Sequence, residues 1–119
     1  MTLGQTQRKF TRCVGQLIMH AYAEGYEISL GDAYRDPRVF GMVGANKPAA
    51  YGHRSSCHKS RLAIDLNLFK DGEFLHATSD HADLGSWWEA LGKAVDLPLT
   101  WGGRFNDGNH YSCAWKGQK

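Results

Sequence analysis

A mixed fold of helices and short strands, with at least one antiparallel pair, is predicted by three features of the sequence. Apolar residues recur at three- and four-residue steps near the N-terminus and again after Leu84, the signature of two amphipathic helices. Between them, Leu62 to Phe69 alternates with a period of two, as a half-buried strand does. The pair Asp71-Gly72 follows that strand directly and predicts a tight hairpin, hence antiparallel pairing.

From Gln5 to Glu24 the positions Phe10, Val14, Leu17, Ile18, Ala21 and Tyr22 form one helical face, and Gly25 closes the helix. His20 borders that face and reads as an edge-of-core histidine. Tyr26 to Tyr34 reads as a strand ended by Arg35-Asp36-Pro37, because proline supplies no ladder donor. Arg35 thus stands at a strand end, from which a guanidinium reaches a cleft; a surface pairing with Asp32 or Asp36 is the alternative. Residues 38–54, rich in Gly, Ala, Asn and Pro, read as a long loop that carries His53.

Leu62, Ile64, Leu66 and Leu68 form the core face of the central strand, which leaves Ala63, Asp65 and Asn67 on the other face. After the hairpin and Phe74-Leu75, Ser79 or Asp80 caps a helix with Leu84, Trp87, Trp88, Leu91 and Val95 on its apolar side, and Pro98 ends it. His76 and His81 flank its start and read as solvent-facing loop histidines. A short strand from Leu99 meets Gly102-Gly103, and a loop then brings Asp107 three residues ahead of His110, which opens a last strand of Tyr111, Cys113 and Trp115.

The 119 residues are one domain's worth, and the expected organisation is a single domain over 1–119. A hydrophobic content of 42% with four Trp, five Tyr and five Phe is ample for a core. The 14 Lys and Arg against 12 Asp and Glu leave a net charge of only +2, scattered along the chain, which argues against a nucleic-acid partner. Cys13, Cys57 and Cys113 make no closed disulfide set and no C-x-x-C pair, so synthesis in a reducing compartment is expected. The N-terminus carries no signal-peptide pattern, and no run nears the roughly 20 apolar residues of a membrane span. Synthesis in the cytoplasm without membrane insertion is the expectation.

His58 precedes Asp65 by seven positions, about 23 Å if extended, so the chain must turn at Lys59-Ser60-Arg61 for the two to share one ion. Together with His110 they make the two-imidazole, one-carboxylate set of a catalytic zinc site, which keeps a fourth position for water and lowers its pKa towards about 7. Asp107 is the candidate base, and Arg35 the candidate group to polarise a carbonyl. Two rivals stay open on the residues alone. One is a structural zinc site of Cys57, His58, His110 and Cys113, against which the adjacent Cys57 and His58 side chains would diverge in an extended segment. The other is a metal-dependent nuclease using the Asp107 to His110 loop, which the modest charge disfavours.

Ser56-x-His58-x6-Asp65, with Ala63 two before the aspartate, resembles the S-x-H-x-x-G-x-A-x-D signature of the zinc peptidases that include D-alanyl-D-alanine dipeptidases and carboxypeptidases. RLAIDLNLF, Trp87-Trp88-Glu89, Trp101-Gly102-Gly103 and Asp107-x-x-His110 look more like the branch of phage endolysins that are L-alanyl-D-glutamate endopeptidases, and the matches run in order from about Gly31 to Ser112. The resemblance implies Zn2+ held by His58, Asp65 and His110, with Asp107 as general base, Arg35 near the substrate carbonyl and Ser56 lining the site. It implies the zinc DD-peptidase (hedgehog-like) fold, a small α+β domain with an antiparallel sheet flanked by helices, which agrees with the order of elements above. It also implies a monomeric peptidoglycan hydrolase that cleaves the stem peptide, first at the L-alanyl-D-glutamate bond and second as a D-alanyl-D-alanine carboxypeptidase. A noncatalytic structural-zinc or wall-binding module is the alternative of a different class. A phage or prophage lysis role would follow, with a holin or similar giving passage to the cell wall in the periplasm and no separate wall-binding domain. Arg61 replaces the motif glycine of the dipeptidase branch, Tyr111 stands where Phe is common, and the catalytic acid is Asp where some branches use Glu.

Overall fold

The computed structural model describes residues 1–32 and 57–116. Arg35, the loop 38–54 with His53, and Ser56 lie outside the described residues.

Helix α1 spans Leu3–Ala23. Thr2 opens it with a capping box: its hydroxyl accepts from the Gln5 amide while the Gln5 side chain accepts from the Thr2 N–H. Phe10, Val14, Leu17 and Ala21 are buried as the periodicity predicts, and Gly25 takes the positive φ (93°) that lets the chain leave the helix. Tyr22 departs from expectation. It sits at the margin of the apolar stripe, is 51% exposed, and uses its hydroxyl to receive the Ile28 amide.

Strands β1 (Glu27–Leu30), β2 (Ala63–Lys70), β3 (Glu73–Leu75), β4 (Leu99–Trp101) and β5 (His110–Cys113) form an antiparallel sheet in the order β1-β2-β5-β4, with β3 also pairing β2. Helix α2 is Ala82–Val95. The described residues therefore make a small α+β fold of two helices and a five-stranded antiparallel sheet. β2 is the central strand. Its Leu66 and Leu68 are almost wholly buried, each burial contributing roughly 1.5–3 kcal/mol. Asp71 and Gly72 make the two-residue hairpin to β3, both with positive φ, as the Asp-Gly pair predicts.

The core lies between the helices and the leucine face of β2. Trp88 of α2 is its centre, edge-on to Phe10 of α1 at 5.8 Å and to Tyr111 of β5 at 6.0 Å. Its indole N–H lies over the Thr100 and Ser112 carbonyls. Neither Ser79 nor Asp80 stands directly before α2; a 3-10 turn, Thr78–His81, precedes it, and the Asp80 carboxylate accepts from the Ala77 amide. The helix ends at Asp96 in the left-handed region, and Pro98 follows.

Candidate metal centre

Register decides which side chains meet. In the β2–β5 ladder Asp65 is directly opposite His110, on the face away from the leucines. The Asp65 backbone is held from the β1 side as well: its carbonyl accepts from Gly31 at 2.8 Å and its N–H donates to the Asp32 carbonyl at 2.7 Å. Gly31 is required there, since a Cβ would stand 2.8 Å from the Asp65 carbonyl oxygen.

His58 arrives by the turn that its spacing demands. Cys57–Ser60 forms a 3-10 turn, and Arg61 with φ 56° redirects the chain into β2. The Leu62 amide donates to the Cys57 carbonyl, and Gln7 of α1 donates to Ser60, so helix and sheet both fix the turn. Cys57 and His58 diverge: the thiol is in the core, donating to the Cys113 carbonyl at 3.4 Å, while the imidazole faces Asp65.

His58, Asp65 and His110 each offer one donor atom within 4.8 Å of the others. His58 Nε2 lies 3.2 Å and His110 Nδ1 3.4 Å from the same oxygen, Asp65 Oδ1. Two ligands at zinc bond lengths and a tetrahedral angle are about 3.3 Å apart, so these separations suit an ion between them. Asp65 Oδ1 is buried and makes no well-aligned hydrogen bond among the described residues, an arrangement that a cation would satisfy. Burial raises the Asp65 pKa, but the contacts with His110 and then His58 outweigh it and bring it down to about 2. The carboxylate is therefore anionic and ready to ligate at neutral pH.

The loop between β4 and β5 brings the fourth sequence candidate to the same place. Asp107 Oδ2 lies 3.8 Å from His110 Nδ1, and its side chain is 52% exposed, at the mouth of the cluster. The Asp107 N–H donates to Gly102 and its carbonyl accepts from His110, closing a compact turn after the 3-10 segment Gly102–Phe105. Phe105 stands edge-on to the His110 ring at 5.8 Å.

Several residues that shape this loop carry no chemical signal in the sequence. The Trp101 indole donates to the Gly108 carbonyl at 2.7 Å and lies where Cβ atoms on Gly85 and Gly103 would be. Glu89 of α2 accepts from the Trp101 amide and, through both oxygens, from the Arg104 guanidinium, which holds its carboxyl below the usual range. The Trp and Gly residues were visible as a motif; that one ring closes over two glycines from different elements is a tertiary fact.

His81 corrects the sequence reading. It is buried, 3% exposed, with Nδ1 2.7 Å from the Tyr111 hydroxyl, and burial lowers its pKa. His76 is exposed as expected. His20 is half-buried and stacks flat on Trp87 at 4.2 Å. Cys57 and Cys113 are wholly buried; burial first, and a neighbouring thiol second, push each up to about 11. Among the described residues they are not part of the donor cluster.

No protein-family model matches the chain, and no curated protein matches it. Among solved structures it is similar in fold to the L-Ala D-Glu endopeptidase ChiX of Serratia marcescens, at a TM-score of 0.65 and 15% identity. That match covers 93% of this chain and 85% of ChiX.

Proposed function

We propose that this chain is a zinc-dependent peptidoglycan hydrolase that cuts the L-alanyl-D-glutamate bond of the stem peptide. The observation that carries the reading is the convergence of His58, Asp65 and His110 on one buried point of a sheet whose fold is shared with an L-Ala D-Glu endopeptidase. Their donor set, two imidazoles and a carboxylate, is that of a hydrolytic rather than a structural zinc site. When bound, the ion would supply Lewis acidity for the scissile carbonyl and make water nucleophilic near neutral pH.

The chain's own groups do the rest in this reading. Asp65, locked between Gly31 and His110, fixes the position of the donor set. Asp107, at the mouth of the cluster and anchored to Gly102, takes the proton of the attacking water and returns it to the leaving amine. Phe105 covers one side of His110 and restricts the water that enters. Arg35 and Ser56, outside the described residues, are proposed to polarise the carbonyl and to line the site.

The test is incubation of the zinc-loaded protein with defined muropeptides and mass spectrometry of the new termini. New N-terminal D-glutamate is the expected product. Release of terminal D-alanine alone would replace the endopeptidase reading by a carboxypeptidase, and binding to sacculi without peptide release would replace it by a noncatalytic module.

A further inference from the structure

We infer that the sheet face running from the metal centre along β2 is a saccharide subsite, which seats the amino sugar to which the stem peptide is attached. This rests on the peptidoglycan-hydrolase reading above. Beyond Asp65, the next residues of β2 on the same face are Asn67 and Phe69. Across the ladders they meet Ser29 and Phe74 respectively, and the chain then delivers His76. The Phe69 and Phe74 rings lie 5.4 Å apart, and the His76 ring lies 6.0 Å from Phe74 at a shallow angle. Phe74 is 53% exposed, so the three rings form an open ledge and not a core cluster. Between ledge and metal centre, Asn67 Nδ2 donates to Ser29 Oγ at 3.3 Å, and the amide carries a second N–H and an acceptor oxygen.

A second observation joins the ledge to the centre. A cavity of about 160 Å³ is lined by Asn67, Phe74, His76 and Asn109, the neighbour of His110, with Leu66, Leu75 and His81 closing it on the core side. An aromatic surface beside amide and imidazole groups is complementary to an N-acetylated sugar, which offers a C–H face for stacking and an acetamido group for hydrogen bonding. A purely apolar partner would leave those amides unsatisfied.

Reach selects this occupant among parts of the substrate. Four residue steps along the strand take Asp65 to Phe69, about 13 Å. In the stem, L-alanine joins the muramic ring through a lactyl group, so about 7 Å of extended chain separates the L-alanyl-D-glutamate bond from the ring. The ring then falls between Asn67 and the Phe69–Phe74 pair. A bond three residues further down the stem would carry the ring roughly 10 Å further, to about 17 Å from the centre and beyond the Phe69–Phe74 pair.

The probe is the disaccharide N-acetylglucosaminyl-N-acetylmuramic acid without peptide, titrated into the protein and followed by amide chemical shifts. Shifts centred on Ser29, Asn67, Phe69, Phe74 and His76, with affinity reduced about tenfold in Phe74→Ala, are expected. Shifts confined to other residues, or wild-type affinity in Phe74→Ala and in His76→Ala, overturn the inference. In cleavage, the ratio of kcat/KM for sugar-bearing over sugar-free stem peptide is expected to fall about tenfold in Phe74→Ala. An unchanged ratio overturns the subsite and leaves the peptidase standing. A protein that cleaves neither substrate overturns the reaction instead, and the titration alone then decides the ledge.

Discussion

Gly102 is the position at which a single methyl group should separate the fold from the site. A Cβ there would stand 2.2 Å from the Asp107 carbonyl oxygen and 2.7 Å from the His110 Cβ. Non-bonded carbon contacts begin near 3.5 Å, so Gly102→Ala must displace the loop by roughly 1 Å. Both groups it pushes belong to the candidate site. The displacement strains or breaks the 2.9 Å bond from the Asp107 amide to the Gly102 carbonyl, about 1 kcal/mol, and overpacks a closed turn, typically 1–3 kcal/mol more. A loss of about 2–4 kcal/mol corresponds to a melting temperature lower by roughly 8–15 °C. Misplacing the proposed base and a proposed ligand by that distance should also reduce turnover about a hundredfold. Gly15 supplies the control: it is an exposed residue within α1 whose added Cβ meets nothing within 4 Å, so Gly15→Ala should stabilise by about 1 kcal/mol. In the double variant, differential scanning calorimetry should recover part of the melting temperature, while competitive zinc titration and muropeptide turnover stay at the Gly102→Ala level. Wild-type zinc affinity and turnover in Gly102→Ala, or their recovery in the double variant, would rule out a displacement of the candidate site by this methyl group.

Two further outcomes follow from the same geometry. Asp107→Asn should keep the fold and bind zinc, because the donor cluster is intact, yet lose about two to four orders of magnitude in kcat; near-normal turnover would remove Asp107 as the base. Because burial depresses the His81 pKa, the unfolded chain binds the proton that the folded one resists, so this group's contribution to stability is complete above about pH 6.5 and is lost as pH falls below it. Urea melts of zinc-free protein should accordingly show a shallower stability decline from about pH 7 to about pH 5 in His81→Gln than in wild type, and equal slopes would contradict the assignment.

What the sequence made legible was what local periodicity encodes. The alternation around Asp65 set the strand and its two faces, the Asp-Gly pair set the hairpin, and the three- and four-residue steps set both helices. The need for a turn between His58 and Asp65 was legible from chain length alone, and Cys57–Ser60 provides it. What was hidden depends on partners far along the chain. His81 looked like a loop histidine because its hydrogen-bond partner, Tyr111, is 30 residues away. Gly31 and Gly102 were visible as glycines, but nothing local shows that the first faces Asp65 and the second faces Asp107 and His110. Phe74 and His76 follow a hairpin in an ordinary order; only the register of Phe74 with Phe69 puts them in line with the candidate metal centre. Tyr22 failed for a different reason: periodicity defines a stripe without defining how wide a stripe the sheet will cover.

In the proposed function His58, Asp65 and His110 hold one catalytic zinc ion. Anomalous diffraction at the zinc edge from crystals of the zinc-loaded protein tests it most directly. A single strong peak is expected within about 2.0–2.2 Å of one imidazole nitrogen of each histidine and an oxygen of Asp65. A peak at Cys57 and Cys113, or none at the three residues under saturating zinc, would contradict it.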